Sequence, residues 1–182
     1  RVARIADAAA RFRGSLTAAG HAYVEALDAR RIFVDLAHIS PAGFYAAAAA
    51  HDPSLPLICT HTGVTGVYPH WRNLDDDQLR VIADTGGTIG VMYQASFLGP
   101  SWLRGRSEAV ADHLMHIVKT VGPAHASLGS DWDGAIVPPT DLRTPAELPR
   151  VVEHLLRRGL APDAIQQILG GNFLRTLRHL RG

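Results

Sequence analysis

Three side chains able to bind a metal stand near the ends of apolar runs. "IFVDLAHIS" (32–40) carries His38, "LPLICTHTG" (55–63) carries His61, and "HASLGSDWDG" (125–134) carries Asp131. Imidazole nitrogens and carboxylate oxygens are ordinary zinc ligands, and ligands this far apart in sequence meet only if the fold gathers them. Each also has a plainer reading. A strand-end histidine is commonly a hydrogen-bonded structural residue, and an aspartate before a turn braces backbone amides. Residue type alone leaves the metal site and the structural contacts both open.

The elements that must position them are legible as a pattern. Apolar runs of strand length alternate four times with segments of helical period: the three runs above and "TIGVMYQ" (88–94). Between and after them come "PAGFYAAAAAHD", with Pro41 suited to a first helical turn, and "NLDDDQLRVIADTGG", whose acidic start favours the helix dipole. "SEAVADHLMHIVKTVG" follows, then the closing segments "TPAELPRVVEHLLRRG", "APDAIQQILG" and "GNFLRTLRHLR". Val110, Leu114, Ile117, Val118 and Val121 fall at i, i+4, i+7, i+8 and i+11, one apolar stripe for packing on a sheet. Continuous apolar strands separated by helices predict an α/β fold with a parallel sheet and right-handed crossovers. Such folds keep their active sites at the C-terminal edge of the sheet, where His38, His61 and Asp131 would converge.

Composition bounds the rest. The 182 residues suit a single domain over 1–182 and fall short of the roughly 250 of a complete eight-stranded α/β barrel. With 47% hydrophobic residues, 19% charged and a net charge of +1, the chain has ample core material and no field to attract nucleic acid. Cys59 is the only cysteine, so no internal disulfide forms; a small buried core residue is expected, compatible with a reducing compartment such as the cytoplasm. No apolar stretch approaches the roughly 20 residues of a membrane helix. The opening "RVARIADAAARFRG" has no signal-peptide centre and no Met, and we expect the true N-terminus to lie upstream.

Other residues receive structural expectations. His113 borders the apolar stripe and His116 turns away from it, which predicts structural or solvated roles for both. His70 is expected on a loop surface, Asp133 bracing a turn beside the metal candidates, and Asn172 capping the last helix. Arg175, Arg178 and Arg181 form a basic stripe expected to face solvent opposite Phe173, Leu174, Leu177 and Leu180. Tyr93 and Trp132, at strand ends, would wall a pocket or simply pack.

Taken in order, "VDLAHIS", "THTG", "RNLDDDQL", "GGTIGV", "DHLMHI", "LGSDWDG" and "LGGNFLR" resemble the C-terminal half of the membrane dipeptidase (renal dipeptidase) family of zinc metallopeptidases. The resemblance runs from about Ser15 to Arg178. It implies a (β/α)8 TIM-barrel metallo-hydrolase fold, of which this chain would supply about four βα units plus closing helices. It implies two Zn2+ per complete site, with His38 and His61 binding one and Asp131 the other. It places Arg72, in "HWRN", where the family holds the dipeptide's free carboxylate, a task that suits a guanidinium fork. The implied reaction is hydrolysis of a dipeptide by a hydroxide bridging two zinc ions about 3.5 to 4 Å apart. Asp131 is the implied catalytic proton shuttle to the leaving amine.

Parts of the family pattern have no counterpart. There is no His-x-Asp pair, and Glu25, Glu108, Glu147 and Glu153 fall in predicted helices, where none can serve as the bridging glutamate. We therefore expect the remaining zinc ligands upstream of Arg1, and low activity from this chain alone. The alternatives are a non-catalytic remnant or binding module of the same fold, or another two-metal amidohydrolase-type hydrolase. An uncovered sheet face would also allow two copies to pair as a homodimer.

Overall fold

The computed structural model describes residues 14–100 and 105–182; the opening segment read above lies, save Gly14, outside the described residues. Strands β1 (Ile58–Thr62), β2 (Thr88–Val91) and β3 (Ala126–Leu128) pair in parallel in that order. On the free side of β1, Asp35 bridges to Ile58, the Leu36 amide donates to the Ile58 carbonyl at 2.8 Å, and the Ile58 amide donates to the Val34 carbonyl. Four parallel segments thus follow in sequence order. The first is a bridge rather than the strand its nine apolar-rich residues predict. The cause is local: the Asp35 carboxylate accepts the Ala37 amide at 3.0 Å, which turns the chain out of the ladder two residues later.

Helices link the segments. The first is α1 (Ala18–Ala29), capped by Thr17. Then α2 (Pro41–Ala50) starts from the Ser40 hydroxyl with Pro41 in its first turn. Next, α3 (Asp76–Asp84) opens on a reciprocal cap between Asp75 and Gln78. A short α4 (Ala95–Leu98) and the long α5 (Ser107–Val121) cross from β2 toward β3, and α6 (Leu148–Arg157), α7 (Pro162–Gln166) and α8 (Asn172–Arg181) close the chain.

Residues alternate across the sheet. Leu36, Cys59, Ile89, Val91 and Ala126 enter a core with Phe44, Leu79, Ile82, Val110, Leu114, Ile117 and Leu155. Ile58, Thr60, Thr88, Gly90 and Ser127 instead line an open groove of about 230 Å³ that also touches Phe173. The sheet curls tightly along this groove. The Thr60 carbonyl lies so close to both Gly90 and Gly129 that a Cβ at either would collide with it.

Two expectations for α8 are corrected. Asn172 does not cap the helix: its amide donates to the Pro123 and Ala126 carbonyls at 2.7 and 2.8 Å, tying α8 to the start of β3. Arg175 is not on a solvated face either, because its guanidinium donates to the Gly86 and Ala124 carbonyls. The buried side of α8 is Asn172, Thr176 and Leu180, at i, i+4 and i+8, and Phe173 and Leu174 are left exposed. Unsatisfied backbone carbonyls at the sheet's N-terminal end recruit the polar face of the helix.

Candidate metal centre

His38 lies one residue beyond the Asp35 turn, with a φ of 65°. Few non-glycine residues sit in this left-handed region, and here it swings the imidazole over the C-terminal end of β1. His61 reaches the same place from β1 itself. The two Nε2 atoms face each other at 2.6 Å, with the rings tilted at 61°. Asp131 follows β3 by three residues, also in the left-handed region at φ 60°, and its Oδ2 lies 4.0 Å from His61 Nε2. The turn that holds it is closed by the Gly134 amide on the Asp131 carbonyl, and Gly134 leaves room for the carboxylate that any Cβ would strike. His38, His61 and Asp131 are therefore gathered at one point of the sheet edge. Asp133, two residues on, is exposed.

Burial favours the neutral form of both imidazoles, the form a metal requires. Desolvation lowers the pKa of His38, aided by the Arg72 and His61 charges and opposed by Asp131 and Asp35. Desolvation likewise lowers that of His61, against Asp131 and Asp35 and with Arg72. His38 Nδ1 is buried among the described residues without a partner. Two nitrogens on a tetrahedral zinc stand about 3.3 Å apart, so the rings must open by several tenths of an ångström to admit one. The donors fit zinc in kind, as two neutral nitrogens and a carboxylate, and fall short in number. Among the described residues no group of three His, Cys, Asp or Glu side chains is already arranged to hold a metal ion.

Arg72 is buried at 5% exposure, with its guanidinium near the His61 carbonyl at 3.5 Å. Its backbone amide donates to His70 Nδ1 at 3.2 Å, and the His70 ring stacks on Phe97 at 4.2 Å. His70 is thus a fixture of the loop carrying Arg72 rather than a loose surface group. Tyr93 is buried and meets Trp132 edge-on at 5.0 Å, so packing describes the pair. Asp35 and Thr60 were missed from the sequence. The Asp35 carboxylate accepts the Thr60 amide and hydroxyl at 3.0 and 2.6 Å, and the hydroxyl oxygen lies 2.9 Å from His61 Nδ1. The available signal was an acidic residue inside an apolar run.

Comparison with known proteins agrees with this architecture. An uncharacterized protein encoded in the pqqA 5' region of Klebsiella pneumoniae is 33% identical over 168 residues, covering 91% of this chain and 61% of that protein. The dipeptidase aclJ of Aspergillus oryzae is 31% identical, over 90% of this chain and 39% of its own length. A metallopeptidase from Rhodobacter sphaeroides, solved with a phosphinate mimic of the dipeptide L-Ala-D-Ala, superposes with a TM-score of 0.84 at 30% identity, covering 93% of this chain and 50% of that one. The chain therefore spans between two fifths and three fifths of the length of these proteins. Its α/β fold is that of the metallopeptidase over the shared part. The profile of the membrane dipeptidase family, peptidase family M19, matches residues 3–181, nearly the full chain, and the chain belongs to that family.

Proposed function

We propose that this chain contributes to the active site of a zinc-dependent dipeptidase, with His38 and His61 as ligands to one zinc and Asp131 to a second. The observation that carries the reading is the meeting of two imidazoles and a carboxylate at the C-terminal edge of a parallel sheet, beside a buried guanidinium. Two zinc ions, when bound, supply a water acidic enough to attack near neutral pH and polarise the scissile carbonyl. The chain's own groups do the rest. Arg72 holds the substrate's free carboxylate and fixes the peptide bond against the site. Asp131 would take the proton lost by the attacking water and deliver it to the leaving amine. Further ligands come from outside this chain.

The test compares zinc-loaded intact protein on a dipeptide and on the same dipeptide amidated at its C-terminus. Wild type should prefer the free acid by at least tenfold in kcat/KM, and Arg72→Lys should lose most of that preference. His61→Ala should abolish turnover while His116→Ala, which removes the pair with Asp76, leaves it near normal. Equal effects from the two histidines, or no preference for the free acid, would sink the assignment. The incomplete donor set favours a second reading, a non-catalytic member of the fold. It predicts neither zinc retention nor cleavage by the intact protein.

A further inference from the structure

Polarity runs one way along the chain of contacts from Asp35 to His61. A carboxylate only accepts, and Asp35 Oδ1 already takes the Ala37 and Thr60 amides, each at 3.0 Å. Asp35 Oδ2 takes the single hydroxyl hydrogen of Thr60 at 2.6 Å. That hydroxyl has no second hydrogen to give. Its 2.9 Å contact with His61 Nδ1 must therefore be a bond donated by the imidazole. The proton sits on Nδ1 and the lone pair on Nε2, the nitrogen turned toward His38 and Asp131. His38 has no such director: its Nδ1 is buried without a partner, and its Nε2 must be the donor in the 2.6 Å contact between the rings.

From this we infer that Thr60, oriented by Asp35, is a positioning residue that presets the His61 tautomer for metal binding, while His38 must shift its proton from Nε2 to Nδ1 when the metal enters. The inference rests on the zinc reading for its purpose and on hydrogen-bond direction for its content. The two can fail separately.

An isosteric change reverses the polarity. In Asp35→Asn the carbonyl can keep the two backbone amides while the amide nitrogen donates to Thr60 Oγ1. The hydroxyl hydrogen then turns to His61 Nδ1 and forces the proton onto Nε2, which blocks the ligand. Ring nitrogen NMR on the metal-free intact protein should show His61 as the Nδ1–H tautomer in wild type and Thr60→Ser, mixed in Thr60→Val, and Nε2–H in Asp35→Asn. Zinc titrations should give about 10–100-fold weaker binding for Thr60→Val and Asp35→Asn, with Thr60→Ser close to wild type. Matched thermal melts of the metal-free variants separate this from loss of fold. An Nε2–H tautomer in wild type, or an unchanged tautomer in both Thr60→Val and Asp35→Asn, overturns the inference. The tautomer decides it even if wild type binds no zinc, a result that would count against the dipeptidase reading alone.

Discussion

His113 and His116 stand one turn apart on α5 and meet different fates. His113 is fully buried, accepts the Val64 amide on Nδ1 at 2.8 Å and donates from Nε2 to the Leu98 carbonyl at 3.1 Å. His116 pairs with Asp76 of α3 at 2.7 Å and lies over Gly66, where no Cβ would fit. Both make structural contacts, in keeping with the structural or solvated roles expected from their places beside and away from the apolar stripe. Burial pushes the His113 pKa from 6.5 down to about 4. The unfolded chain then binds more protons than the folded one between those values, so the stabilisation is complete above about pH 6.5 and is lost as pH falls toward 4. At about 1.4 kcal/mol per pH unit, the contribution is on the order of 3 kcal/mol. Denaturant melts across that window should show stability falling with acid, and His113→Gln, which keeps a donor and an acceptor, should flatten the slope. An equal slope in the variant would assign the acid sensitivity elsewhere.

At the scale of elements, the curl of the sheet is what brings the three donor-bearing ends together. One close point along it is the Thr60 carbonyl against Gly90 and Gly129. Gly129→Ala places a methyl against fixed backbone and should cost roughly 1–3 kcal/mol or more, read as a lower urea midpoint. An unchanged midpoint would mean that the strands can part there freely. The pattern of apolar runs and helical stripes revealed the parallel order and the edge where His38, His61 and Asp131 meet, because both follow from which faces must be buried. It did not reveal that the first run leaves the ladder after Asp35, since run length says nothing about where a side chain captures its own backbone. The partnership of Asp35 with Thr60, and of Asn172 with the Ala126 carbonyl, was hidden for a related reason: each joins residues from different segments. The family resemblance supplied Arg72, which no spacing rule would have singled out.

Over the whole molecule, among the described residues, the main core and its helices lie on one side of the sheet, and the other side carries the groove lined by small and hydroxyl-bearing residues. The groups of interest gather at one rim, away from the main core. Two of them, His38 and Asp131, occupy backbone conformations that residues with side chains seldom adopt. Each such residue costs of order 1 kcal/mol or more relative to glycine. The fold is therefore less durable than its own scaffold permits. Replacing Asp131 with Gly should raise the thermal midpoint of the metal-free protein by a few degrees while removing turnover, and a lower midpoint would show that the carboxylate also props up the rim. If the midpoint rises, selection for longevity in the absence of substrate would erode this corner of the protein first.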